Sequence, residues 1–377
     1  MRRIASTPRR NWEKKVEEAG LTWHSGQQPY WNESAFYEFT AKEVDVLESA
    51  TNELEKMTLR AAQHVIDHQL YARMGIPQTA IPPIESSWKA EPPALYGRFD
   101  LAYDGVHPPK LLEYNADTPT SLLEAAVVQW YWLEELFPKR DQFNSLHERL
   151  IASWKELTPY LPGGRVDFCS MDDREDGMTV TYLQDTAHQA GLKTSIFPID
   201  EVGWNGEAFV GPDDRPLGAI FKLYPWEWMV HEDFGQHIGQ DGTMWIEPPW
   251  KMLLSNKGIL PVLWELYPRH PYLLEANFTG PGLMMSWVKK PLLGREGANI
   301  TLHQPGQDDV ETPGDYGAEG FIYQDCARLQ TFDGKYPVIG SWIIGHEEGN
   351  AAAGMGIREA DTPITTNTSQ FVPHLFD

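Results

Sequence analysis

Arg98-Phe99-Asp100-Leu101-Ala102-Tyr103-Asp104-Gly105-Val106-His107-Pro108-Pro109-Lys110-Leu111-Leu112-Glu113-Tyr114-Asn115 is the stretch on which the fold turns. In an extended strand, residues i and i+2 point to one face, so Arg98 goes with Asp100 and Glu113 with Asn115. Asp104-Gly105 tolerates the positive dihedral angles of a turn, and Pro108-Pro109 precedes the apolar Leu111-Leu112, which together predict a hairpin. Pairing would gather a guanidinium, two carboxylates and a side-chain amide on one surface. Magnesium prefers all-oxygen ligands shared with substrate phosphates, and a guanidinium suits an anionic oxygen pair. The same residues also suit a solvated hairpin with ordinary surface ion pairs.

Outward from this hairpin, 377 residues are enough for two or three packed lobes with a substantial core. The net charge of −23 opposes binding to nucleic-acid backbones and anionic membranes, so any phosphate must be held by a few local cations or a metal. Cys169 and Cys326 lie far apart, which gives neither a disulfide framework nor zinc-ligand spacing, and both are expected buried and reduced. Met1-Arg2-Arg3-Ile4 is not followed by an apolar stretch, and no long apolar run occurs later, so a cytoplasmic protein without a membrane partner is expected.

Val44, Leu47, Leu54, Met57, Ala61, Val65 and Leu70 recur at helical spacing and predict a helix over 41–73. The proline-rich run 75–93, with Pro82-Pro83 and Pro92-Pro93, reads as an irregular connection. A helix is expected from Leu122 after the hydroxyls of Thr118, Thr120 and Ser121, its amide-rich end facing the hairpin. Over 165–221 the pattern is α/β: strands at 166–168 and 180–182 around an acidic loop, a helix at 185–191, and strands at 194–196 and 217–223. A helix follows over 257–266, and Gly-rich turns are expected near 294–297, 314–320 and 349–356.

Lys289-Lys290-Pro291 followed by Gly294-Arg295-Glu296-Gly297 places a lysine at a strand end before a glycine loop, where backbone amides can approach phosphate oxygens. The Gly-Lys-Ser/Thr order of a Walker A loop is absent. A plain surface hairpin would give the same local pattern. Lys257, Gln324 after the strand 321–323, and Arg358 in Gly354-Met355-Gly356-Ile357-Arg358 supply the company that makes it a nucleotide candidate.

Glu113-Tyr114-Asn115-Ala116-Asp117-Thr118-Pro119, Asn256-Lys257-Gly258-Ile259-Leu260-Pro261 with Leu263-Trp264, and Lys290-Pro291 with Gly294-Arg295-Glu296-Gly297 together resemble the glutathionylspermidine synthase family, in order and over nearly the whole chain. The resemblance implies an α/β (α+β) ATP-grasp fold. It further implies an ATP- and magnesium-dependent ligase, with two ions, that joins a carboxylate to an amine through an acyl phosphate. By motif, Asp100, Glu113 and Asn115 resemble the magnesium ligands. Arg98 resembles the arginine on the γ-phosphate and reacting carboxylate, and Arg358 the one that stabilises the acyl phosphate. Lys257, Lys290, Gly297, Gln324, Asp325, Cys326, Ala327, Pro363, Ile364 and Thr365 resemble the ATP contacts, and Thr118, Thr120, Glu175 and Asp176 the substrate contacts. Three approximate lobes are expected, 1–160, 161–250 and 251–377, as a ligase unit without the amidase domain of bifunctional relatives. The partners implied are a small-molecule or peptide carboxylate and an amine.

Leu223 and Trp228 stand where the family pattern has glutathione-binding threonines, and Thr118 and Thr120 where it has serines. Losing a buried hydrogen bond costs about 1 to 3 kcal/mol, which argues against glutathione as the acid. His64 and His68 are four apart, but Val65 stands where a zinc protease needs glutamate. Trp130, Trp132 and most of the 15 tryptophans read as core. The glycines before Arg358 are expected to move with the 294–297 loop as a lid. Two other functions use the same residues: a metal-dependent phosphohydrolase on Asp100, Glu113 and Asn115, or a non-catalytic ATP-binding module.

Overall fold

The computed structural model describes residues 1–26, 29–91, 94–345, 351–366 and 369–377. Pro92-Pro93, His346 and Gly349 lie outside them.

Strands Tyr96–Ala102 and Lys110–Asn115 pair antiparallel, with Arg98 opposite Asn115 and Asp100 opposite Glu113. They are joined by a longer loop, in which the Asp104 carboxylate accepts from the Val106 and His107 amides at 2.8 and 2.7 Å. The intervening Phe99 and Tyr114 point the other way and stack at 4.0 Å in the core. The hairpin is the edge of a five-stranded antiparallel sheet that continues through Tyr336–Ile344, Ala352–Ala360 and Gln370–Val372. Gly354 and Gly356 therefore sit in a strand and not in a turn. A Cβ on Gly356 would stand 2.7 Å from the Phe371 ring, and this packed run before Arg358 is no moving lid.

The long helix is Ala41–Asp67, shorter than its apolar pattern. A capping box between Thr40 and Glu43 starts it, and left-handed Gln69 breaks it before a 3-10 turn at Leu70–Met74. It crosses the back of the sheet, where Thr51 and Ser341 share a hydroxyl bond of 2.6 Å. The proline-rich connection contains a real helix, Ile81–Ala90, because Pro82-Pro83 fall in its first turn, where no amide partner is needed.

A four-stranded parallel sheet has the order Met244–Ile246, Ala219–Leu223, Arg165–Ser170, Lys193–Pro198. Residues 180–182 are not a strand in it. They belong to the crossover helix Arg174–Gln189, and the acidic loop is its first turn, capped where Asp173 accepts from the Asp176 amide. Val180, Leu183 and Ala187 carry the helical period into the core. The expected helix over 257–266 begins later, at Ile259–Leu266, and leaves Lys257 in the link after Met252–Ser255. A third, antiparallel sheet contains Trp287–Pro291, Phe321–Asp325 and Thr301–His303.

Helices and sheets are mixed, an α+β architecture over two buried cores. Trp132 and Cys169 are buried as expected; Tyr131 is exposed, and Cys326 is half-buried on a cavity wall. Among the described residues no helix is long and apolar enough to cross a membrane.

Candidate active site

Register alone assembles one polar face. Directly opposed residues of an antiparallel pair share a side, so Arg98, Asp100, Glu113 and Asn115 project together. Gly340 opposes Asp100 on the next strand, and Val338, two residues away on the same side, opposes Arg358. The expectation that Arg358 joins the hairpin therefore follows from pairing across some 260 residues. Arg98 donates from Nε to Asp100 at 2.6 Å and from Nη1 to the Thr120 carbonyl at 2.6 Å, which places the start of the Leu122 helix over the hairpin. Arg358 donates to the other Asp100 oxygen at 3.1 Å. Gly340 is required beneath this network: a Cβ there would stand 2.7 Å from Arg98 Cδ.

A cavity of about 420 Å³ opens from this face towards the third sheet. It is lined by Asp100, Glu113, Lys257, Lys290, Gly294, Gly297 and Gln324, and by Asp325, Cys326, Ala327, Pro363, Ile364 and Thr365. Lys257 Nζ lies 3.0 Å from the Glu113 carboxylate and donates to the Gly294 carbonyl at 2.5 Å. Lys290 donates to Gln324 Oε1 at 2.7 Å and to the Leu112 carbonyl at 2.9 Å. Burial works against Glu113 ionising, but the ammonium groups of Lys257 and Lys290 outweigh it and hold this carboxyl well below its ordinary range. Lys290 is lowered to about 8 by burial, with Glu113 opposing the shift. Gly297 has φ +72° and lies so close to Thr365 that a Cβ would fall 2.5 Å from its carbonyl oxygen.

Thr118, Thr120, Glu175 and Asp176 do not line this cavity. Thr118 accepts from Arg295 Nη1 at 2.7 Å. Burial raises Glu175, opposed by a bond from the Thr120 hydroxyl; Asp176 is raised to about 7 by burial and by the nearby Asp173 and Glu175. Leu223 is 1% exposed and belongs to the core, whereas Trp228, 39% exposed, faces a cavity.

Two groups escaped the sequence reading. Arg295 binds Glu227 at 2.7 and 2.9 Å as well as Thr118; its place inside Gly294-Arg295-Glu296-Gly297 was the available signal. Glu124, buried in a single π turn at Glu124–Val128, accepts from Tyr30 Oη at 2.8 Å, and burial raises its carboxyl to about 7. Nothing local marks it in the sequence.

The hairpin oxygens fit a hard cation. Two carboxylates and the side-chain amide oxygen of Asn115 form an incomplete shell, suited to an ion that keeps waters and shares phosphate oxygens. Among the described residues no group of three or more His, Cys, Asp or Glu is placed to hold a metal, and the rings of His64 and His68 stack on each other at 4.1 Å.

Residues 3–377 match the family described as glutathionylspermidine synthase preATP-grasp. A Haemophilus influenzae protein whose name proposes an acid–amine ligase is 46% identical over 92% of this chain and 91% of its own length. Trypanothione synthetase of Crithidia fasciculata is 30% identical over 82% of this chain, and the bifunctional glutathionylspermidine synthetase/amidase of Escherichia coli 29% over 86%. The chain spans about half the length of these last two, 51% and 56%. A glutathione synthetase-like effector from Globodera pallida shares the fold, with a TM-score of 0.58 at 10% identity, over 90% of this chain and 89% of its own. The protein is an enzyme of the acid–amine ligase class with an ATP-grasp-type fold. It belongs to the glutathionylspermidine synthase family.

Proposed function

We propose that this enzyme joins a carboxylate to an amine with ATP and magnesium, by way of an acyl phosphate. The observation that carries the reading is the meeting of the Asp100 and Glu113 carboxylates with Lys257, Lys290 and the Gly294–Gly297 loop across one cavity, with Asn115 two residues from Glu113 on the same face of the hairpin. Arg98, Lys257, Lys290, Gly297, Gln324 and the segments 325–327 and 363–365 hold the nucleotide. Bound magnesium, in two ions, neutralises phosphate charge and orients the transferring group. Asp100, Glu113 and Asn115 hold it.

Arg98 and Arg358, both fixed on Asp100, present guanidinium groups to the charge that develops when the carboxylate is phosphorylated and again when the amine attacks. Rigid cations aimed at developing charge need no reorganisation, and the chain supplies no nucleophile of its own. Thr118 and Thr120 flank the reacting carboxylate, while Glu175 and Asp176, acidic and crowded, favour a cationic amine. Lobes at 1–160, 161–250 and 251–377 accompany this reading, with the hairpin, the parallel sheet and the nucleotide sheet respectively. The protein works in the cytoplasm on small molecules or peptides.

The test is purified protein given ATP, magnesium and a pool of cell metabolites. Release of ADP and phosphate with a new amide detected by mass spectrometry is expected. ADP-free hydrolysis of phosphoesters, or ATP binding without turnover in any mixture, would overturn the reading.

A further inference from the structure

Lys222, on the strand Ala219–Leu223 of the parallel sheet, is wholly buried. Its ammonium donates to Asp117 Oδ1 at 2.7 Å and to the Tyr224 carbonyl at 2.8 Å, and lies 4.2 Å above the Trp226 ring. Asp117 is 1% exposed, and its other oxygen accepts from the Trp226 amide at 2.9 Å. Taking two charges out of water is costly, and an apolar pair of similar volume often serves stability as well or better. Stability alone is therefore a poor account of this pair, and its place in the fold supplies a better one.

Asp117 opens the connection between the hairpin strand Lys110–Asn115 and the helix that starts at Leu122. This connection runs outside any sheet ladder, and side chains grip it. The Pro119 carbonyl accepts from Tyr96 Oη at 3.2 Å and the Thr120 carbonyl from Arg98 at 2.6 Å, while Ser121, at φ +69°, shares a hydroxyl bond of 2.9 Å with Tyr30. The segment after Lys222 reaches the connection a second time, because Glu227 binds Arg295 and Arg295 donates to Thr118 at 2.7 Å. The bonds of Lys290 and Gln324 run to each other and to the Leu111 and Leu112 carbonyls instead.

We propose that Lys222 is a positioning residue for the reaction: through Asp117 it fixes the connection 116–121, so that the Thr120 carbonyl anchors Arg98 and the Thr118 hydroxyl faces the reacting carboxylate. This rests on the ligase reading for its effect on rate, whereas the fixing of the connection stands apart from it. Losing the anchor leaves Arg98 tied to Asp100 alone at an uncertain angle, and small misplacements of such groups are costly in rate while nucleotide binding is spared.

The test uses the full chain with both charges removed, Asp117→Asn/Lys222→Met, beside Lys222→Met alone. The single variant, with a buried carboxylate unpaired, should lose several degrees of melting midpoint, and the double variant should regain most of them. Turnover should not follow: kcat for ATP-dependent ligation should stay about 10-fold or more below the parent in the double variant, with the Kd for a non-hydrolysable ATP analogue within about 2-fold. Hydrogen exchange read by mass spectrometry should quicken over 116–123 and remain unchanged over 287–291 and 321–325. Asp117→Asn alone, which keeps the side chain's shape and an acceptor for the Trp226 amide, gives the same signs in smaller measure should the methionine variants not fold. Turnover recovering together with the melting midpoint, analogue affinity falling as far as kcat, or unchanged exchange over 116–123 would overturn the role. A parent that makes no amide at all refutes the ligase reading, and the exchange result still decides whether Lys222 fixes the connection.

Discussion

Replacing Gly340 by alanine should disable the enzyme through Arg98 without touching a ligand. Gly340 has no left-handed backbone, so alanine meets no dihedral penalty and even lowers the entropy of the unfolded strand. The added Cβ, however, would stand 2.7 Å from Arg98 Cδ and 3.3 Å from Cγ and Nε. Relief to ordinary contact requires the arginine to retreat by about 0.7 Å or more, a displacement of the scale that costs near 10²-fold in rate when a positioning group is involved. Arg98 cannot retreat freely, because Asp100 and Thr120 hold it at 2.6 Å each, and one of those bonds must lengthen. A charge-assisted hydrogen bond is worth about 1.5 to 3 kcal/mol, or roughly 10- to 150-fold. Acid- and amine-dependent ADP release in Gly340→Ala should therefore fall about 10²-fold, with a melting midpoint within a few degrees of the parent. In an Arg98→Ala background the same substitution should add almost nothing, since the clash has lost its partner. Parent-like turnover in the single variant, or an undiminished further loss in the double variant, would refute the reasoning.

Lys290→Ala should raise the Kd for ATP at least 10-fold, whereas Arg358→Ala should leave it within about 3-fold and lower turnover by roughly 10²-fold; equal loss of binding in both contradicts the division of labour. Glu124→Gln tests the buried carboxyl. In the folded chain it ionises near 7 against an ordinary 4.5, so the unfolded chain releases its proton first and the parent loses stability as pH climbs between those values. Chemical denaturation should find the variant's relative advantage constant below pH 4.5 and growing by up to about 3 kcal/mol towards pH 8; a pH-independent difference rules the shift out. Chelation by EDTA should abolish ADP release, and magnesium should restore it where calcium does not.

The hairpin was legible because a two-residue period and its turn residues specify both a strand and a face, and the register then fixes which side chains meet. Lys290 and its glycine loop were legible for the same local reason. Arg358 could be placed only through resemblance, since nothing near it says that its strand lies one removed from Asp100. Arg295 was overlooked because its partners, Glu227 and Thr118, are 68 and 177 residues away. Where short apolar runs were ambiguous, caps decided: Asp173 drew 180–182 into a helix, and left-handed Gln69 ended a helix whose apolar pattern ran on to Leu70. Gly354 and Gly356 misled because glycine marks a turn and a close approach equally well, and only the ring of Phe371 tells which.

The strand Tyr336–Ile344, wedged between the hairpin and Ala352–Ala360, has a consequence for how the molecule is made. While a ribosome is still translating the middle of the chain, Tyr96–Ala102 has one hydrogen-bonded edge bare and Asp100 lacks its second arginine. Contacts of such long sequence separation form late and slowly. Nascent chains should thus carry an open, pairing-prone edge until Tyr336–Ile344 is made, and catalytic competence should arrive abruptly, only when that strand and Ala352–Ala360 dock.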